Sequence, residues 1–99
     1  MPTEAPLTLI NAFEVPPSED DAFLALFARA REFLSGRGAY REPTLHRALR
    51  PDADFRFVNV ARWSSPLAFG KAVQQPAFQE LAAALAVPAH PALYQVIGD

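Results

Sequence analysis

Two side chains four residues apart could do chemistry together, the amide of Asn59 and the indole of Trp63. Both lie in the stretch Phe55-Arg56-Phe57-Val58-Asn59-Val60-Ala61-Arg62-Trp63. There Phe55, Phe57, Asn59, Ala61 and Trp63 share one face, and Arg56, Val58, Val60 and Arg62 the other. Such alternation, with aromatic and β-branched residues, reads as a strand. Asn59 is the polar member of an apolar row. A buried amide left without partners costs about 1–3 kcal/mol, so it is either a satisfied core residue or a group held for a ligand. Trp63 stands about 13 Å further along the same face at the rise of a strand. Groups that far apart cannot clasp one small atom. They can touch separate parts of a multi-ring molecule laid along the strand.

The elements that would position this pair follow from the rest of the chain. Leu7 to Val15 alternates as a first strand and is apolar on both faces, which suggests cover on both sides; Pro16-Pro17 ends it. Ser18 is read as the cap of a helix whose first turn is acidic. Phe23, Phe27, Ala30 and Leu34 then follow helical spacing, and Ser35-Gly36-Arg37-Gly38 stops the run. Ala39 to Leu49 is a second strand, in which Pro43 suits an edge or a bulge. Arg50-Pro51-Asp52-Ala53 turns the chain into the Asn59 strand. Ser65 caps the next helix with Pro66 in its first position. Pro76 breaks that helix and begins another, to about Leu85. Val87 to Pro91 reads as a rigid connector and Ala92 to Ile97 as the last strand. The order β-α-β-β-α-β predicts an α+β, ferredoxin-like fold: a four-stranded antiparallel sheet with helices on one face. The apolar side chains left on the other face, Val58, Val60 and Ile10, predict a homodimer packed sheet to sheet.

Composition narrows the function. The 99 residues are expected to form one domain spanning 1–99. A net charge of −2 and a pI near 5.6 leave no electrostatic footprint for nucleic acid. With no cysteine, thiolate chemistry and Cys-based metal sites are excluded. The start lacks a basic region followed by an apolar core, and the longest apolar helical run, Ala22 to Ala28, is too short to span a bilayer. A cytoplasmic protein without membrane partners is expected. No close-spaced metal ligand set is visible. Ser64 and Ser65 lack a nucleophile-elbow context, and the four glycines form no phosphate loop.

Five segments together resemble the antibiotic biosynthesis monooxygenase family of the dimeric α+β barrel superfamily. They are Leu9-Ile10-Asn11-Ala12-Phe13, Thr44-Leu45-His46-Arg47, Phe57 to Trp63, Gln75-Pro76-Ala77-Phe78 and His90-Pro91-Ala92-Leu93-Tyr94. The Asn-x-x-x-Trp spacing of Asn59 and Trp63 is the most specific among them. The resemblance implies a dimer that oxidises a planar aromatic substrate, an anthrone or phenol, with molecular oxygen and no metal, flavin or other cofactor. It implies Asn59 and Trp63 as catalytic hydrogen-bonding groups, with Asn11, Tyr40, Tyr94 and His46 as candidate substrate-binding residues. A haem-degrading branch of the superfamily pairs a first-strand asparagine with a third-strand tryptophan, as Asn11 and Trp63 would. It also needs a histidine on the following helix, and Pro66 to Gln74 contains none. An RNA-binding domain of the same element order is a weaker match, because Ala53-Asp54 stands where a basic-glycine pair belongs and Val60 where an aromatic does. A non-catalytic dimer that binds an apolar small molecule is the remaining alternative.

Overall fold

The computed structural model describes residues 7–35 and 40–98, and only the backbone of 40–42. Four strands form one antiparallel sheet: β1 (Leu7–Phe13), β2 (Tyr40–Arg47), β3 (Phe57–Trp63) and β4 (Ala89–Tyr94). Their spatial order is β2-β3-β1-β4, the ferredoxin-like arrangement expected from the element order. The helices are α1 (Asp20–Ser35), α2 (Pro66–Val73) and α3 (Pro76–Leu85).

The sheet has two chemically distinct faces because side chains alternate along each strand. Leu7, Leu9 and Phe13 of β1 and Phe57, Asn59, Ala61 and Trp63 of β3 are buried beneath the helices. Phe23, Phe27, Ala30 and Leu34 are the buried stripe of α1, so its helical spacing is the spacing of the core. The residues between them in sequence, among them Ile10, Ala12, Val58 and Val60, face away and are only half-buried.

Several local signals act as expected. Ser65 caps α2, its Oγ accepting from the Ala68 amide at 3.1 Å. Pro66 and Pro76 occupy the first turns of α2 and α3. Pro43 falls in an edge strand, where the β2–β3 register shifts between Arg41 and Thr44. The Gly36 and Gly38 stop signal lies outside the described residues.

Other boundaries differ. Residues 17–19 form a single 3₁₀ turn, so Ser18 lies inside it and α1 begins at Asp20; the Pro16-Pro17 pair bends the chain before α1 can start. The alternation of Phe55 and Val15 also outruns their strands. β3 starts at Phe57 and β1 stops at Phe13, where Phe13 O instead accepts from the Arg56 amide at 2.9 Å. The last strand is the largest correction. It covers Ala89–Tyr94 rather than 92–97 and includes Pro91. Among the described residues β4 lies at the sheet edge and pairs with β1 alone, so a residue without an N–H donor is tolerated there.

Candidate functional site

β1 and β3 place Asn11 directly opposite Asn59. Directly opposed residues have Cβ atoms about 4.5–5.5 Å apart, so the two amides are neighbours on the helix-facing side. Asn59 is 5 % exposed and Asn11 half-buried. The Oδ1 atoms of both are buried and have no hydrogen-bond partner among the described residues. Buried polar atoms are nearly always bonded. Two such acceptors side by side, unbonded among the described residues, form a candidate site for a hydrogen-bond donor.

This pair divides the core. On one side Phe13, Val15, Phe23, Phe27 and Phe57 form an aromatic cluster, with Phe23 and Phe57 stacked at a centroid distance of 4.6 Å. On the other side Leu7, Leu9, Leu34, Ala61, Trp63 and Ala72 form a second cluster. Asn11 and Asn59 occupy the row between Phe13–Phe57 and Leu9–Ala61. In the α1 stripe, Phe27 belongs to the first cluster and Leu34 to the second; Ala30 lies between them and belongs to neither.

Trp63 is 1 % exposed. Its ring meets Phe69 of α2 edge to face, with centroids 5.2 Å apart. The Ser65 cap fixes where α2 begins and thereby sets Phe69 against the indole. Tyr40 pairs with Trp63 across β2 and β3, but its side chain lies outside the described residues.

The other two candidates stand elsewhere. His46 pairs with Val58 and its Nδ1 donates to the Val58 carbonyl at 3.2 Å. Tyr94 pairs with Thr8. Both belong to the parity of the outward sheet face, apart from Asn59. His90, which the sequence placed in a connector, is in β4, with Nε2 2.6 Å from Oε2 of Glu14 and its ring 5.2 Å from that of Phe55. Among the described residues no group of three or more metal-ligating side chains forms.

A cleft of about 470 Å³ opens between α1 and β2. Leu24, Phe27 and Leu45 form its apolar floor, and Arg31, Glu32 and Ser35 its polar rim. Arg31 is held there by a 3.1 Å bond from Nη2 to the Pro43 carbonyl. Leu45 is the cross-strand neighbour of Asn59, but neither Asn59 nor Asn11 lines the cleft. Sequence reasoning missed this cleft, which exists only where α1 packs beside β2.

At the start of α1, Asp20 accepts from Arg56 Nη2 at 2.7 Å and Nε at 3.1 Å, with Arg47 3.9 Å away. The Arg56 hydrogen bonds, aided by the charges of Arg56 and Arg47, hold the Asp20 carboxyl below its ordinary range against a smaller opposing effect of burial. This pairing fastens α1 to the start of β3 and stands outside the polar row.

Residues 6–84 match the antibiotic biosynthesis monooxygenase family. The chain belongs to that family. Among solved structures, this monooxygenase-family chain is similar to a proposed monooxygenase from Shewanella loihica PV-4, at 32 % identity over 99 % of this chain and 100 % of the other, with a TM-score of 0.82. It is also similar to a variant of SnoaB, a cofactor-independent oxygenase from Streptomyces nogalater, at 29 % identity over 95 % of both chains and a TM-score of 0.81. A proposed family member from Caulobacter crescentus CB15 shares 12 % identity over 96 % of this chain and 92 % of its own, at a TM-score of 0.82; that identity shows the fold alone. A search of curated proteins returned no match.

Proposed function

We propose that this chain is a cofactor-independent monooxygenase acting on a planar aromatic substrate of the anthrone or phenol type, with Asn59 and Trp63 as its catalytic groups. The observation that carries the proposal is the Asn11–Asn59 pair, two buried acceptors with no partner among the described residues, in the row that splits the core. A substrate hydroxyl is the donor that suits them. The likeness to SnoaB, itself a cofactor-independent oxygenase, supports the reaction class.

In the proposed reaction a ring CH₂ and O₂ become a ring C=O and H₂O. Loss of a substrate proton leaves an electron-rich carbanion–enolate. It reduces oxygen and forms a C–O bond, giving a peroxide; cleavage of the O–O bond, with loss of the second ring proton, leaves the carbonyl and releases water. The amide of Asn59 and the indole N–H of Trp63 supply donors for oxygen anions that develop on this route, where preorganised donors contribute most. Asn11 binds the substrate, and Tyr40, whose backbone pairs with Trp63, is the further substrate-binding candidate. The neutral amides and indole of the row are not bases, so the substrate must itself be acidic enough to ionise, as an anthrone or phenol is.

The working unit proposed is a homodimer. Ile10, Ala12, Val58 and Val60 form an apolar sheet face with no helix of the described residues over it, Tyr94 of β4 shares its parity, and Val96 and Ile97 beyond β4 are also exposed. His46 and Tyr94 would lie at this interface.

Oxygen consumption by the purified protein with anthrones and hydroquinones, without added metal or flavin, tests the reading. Uptake that falls sharply in both Asn59→Ala and Trp63→Phe is expected. Equal rates in wild type and both variants would refute the site assignment. Tight binding of the arenes with no oxygen uptake would favour a non-catalytic binding dimer.

A further inference from the structure

We propose that the cleft between α1 and β2 is a second binding site, for an amphipathic carboxylate: an extended apolar chain with one carboxylate head, held by Arg31. The site is separate from the Asn11–Asn59 pair, since neither asparagine lines the cleft.

The shape of the ligand follows from the lining. Leu24, Phe27, Ala28, Arg31 and Ser35 border the cleft, and steps of three and four residues put them on one face of α1. That face is apolar from Leu24 to Ala28 and polar at Arg31 and Ser35, so the cleft has an apolar end and a polar end. At the rise of a helix, Leu24 and Arg31 stand about 10 Å apart along its axis. Across from them, Leu45 is the lining residue of β2. Leu24 and Leu45 are only half-buried and Ala28 is exposed, so apolar surface is open to an occupant. A groove walled by one helix face and one strand side chain is long and narrow. It suits an extended chain better than a broad ring system.

The charge of the head follows from Arg31. Its Nη2 donates to the Pro43 carbonyl of β2 at 3.1 Å, which fixes the guanidinium across the polar end of the cleft before any ligand arrives. A guanidinium carries five N–H donors, so one bond to a carbonyl leaves the others for a ligand. Among the described residues no carboxylate makes an ion pair with Arg31. Glu32, the acid of the rim, also borders the groove between α1 and α3 together with Arg29, whereas Arg31 does not; Glu32 therefore stands on the ridge between the two grooves. A positioned guanidinium takes a carboxylate through charge-assisted hydrogen bonds. The hydroxyl of Ser35, four residues on, offers a further donor at the same end.

Amide chemical shifts of the isotopically labelled chain, titrated with decanoate, report both affinity and place. Saturable shifts centred on Leu24, Ala28, Arg31, Ser35 and Leu45 are expected. Hexanoate, which keeps the head but shortens the chain, should bind about tenfold more weakly or worse. Decyltrimethylammonium, which keeps the chain but reverses the charge, should also bind about tenfold more weakly or worse. Arg31 is exposed, so Arg31→Gln should keep the wild-type spectrum elsewhere while weakening decanoate about tenfold and leaving decyltrimethylammonium no weaker. No saturable binding of decanoate by wild type overturns the proposal. So does undiminished decanoate binding by Arg31→Gln, or equal binding of the two decyl compounds. Shifts centred instead on Ile10, Val58 and Val60 overturn it too, since they would mean that the chain merely coats the open sheet face. Decanoate has no ring and the titration consumes no oxygen, so each of these failures leaves the oxygenase reading untouched.

Discussion

Asn59 is a residue that stability alone does not explain. Its Oδ1 is buried with no partner among the described residues, a cost of about 1–3 kcal/mol, and an apolar side chain of similar size would avoid it. Asn59→Leu is therefore expected to raise unfolding free energy by about 1–3 kcal/mol, measured by urea titration, while removing the oxygenase activity proposed for the site. A loss of stability in that variant would indicate that the amide is satisfied and structural. Asn59→Ala tests the chemistry instead. If the amide stabilises a developing oxyanion, turnover should fall by about 100–1000-fold, with a smaller effect on substrate affinity. Phe57 is the contrasting case. It is buried in the aromatic cluster in the row beside the polar pair and offers no hydrogen-bonding group, so Phe57→Ala should cost about 3–5 kcal/mol of stability and its effect on activity should follow the loss of fold.

The elements carry their own predictions. α3 ends on Ala86 in the left-handed region, at φ 53° and ψ 30°, the conformation in which glycine replaces a crowded Cβ. Ala86→Gly should stabilise the chain by up to about 1 kcal/mol, visible as a higher melting temperature; an unchanged or lower one would mean that the chain entropy lost to glycine outweighs the relief. The clip between α1 and β3 sets a pH dependence. The Asp20 carboxyl is held below its ordinary value, so in the folded state it binds a proton less readily than in the unfolded state. Its contribution is fully present above the unfolded value near 3.8 and is lost as pH falls through the lower folded value. Thermal melts should show Asp20→Asn less stable than wild type at pH 7, with the gap closing below about pH 3.8. A gap independent of pH down to acid unfolding would mean that the Arg56 contacts contribute nothing through charge.

At the scale of the molecule, the open sheet face decides the expected assembly. Val58 and Val60 stand at its centre beside Ile10 and Ala12, with Arg62 on the same side. Val60→Glu would place a charge in the proposed interface, where burying it unpaired is costly. Sedimentation at micromolar concentration should find wild type at twice the chain mass and Val60→Glu at the monomer mass, with far-UV circular dichroism unchanged. Wild type at the monomer mass would rule out the sheet-to-sheet dimer.

Much of this was written into the sequence because it depends on local rules. Alternation placed Asn59 and Trp63 on one strand face, helical spacing picked out Phe23, Phe27, Ala30 and Leu34, and Ser65-Pro66 and Pro76 marked the starts of α2 and α3. These signals need only neighbours along the chain. Strand ends were less legible. Phe55 continues the alternation of β3 and Pro91 interrupts that of β4, yet the strand excludes the first and includes the second. What decides is whether a partner strand is there to pair with, and on which side. The site itself was only half legible. Asn59 was evident as the polar member of an apolar row and Asn11 entered through the family resemblance, but nothing along the chain says that residues 48 positions apart face each other. Nor could it say that His46 and Tyr94 share the other face. Register between strands and the placement of α1 on the sheet are long-range packing outcomes, and only the tertiary structure decides them.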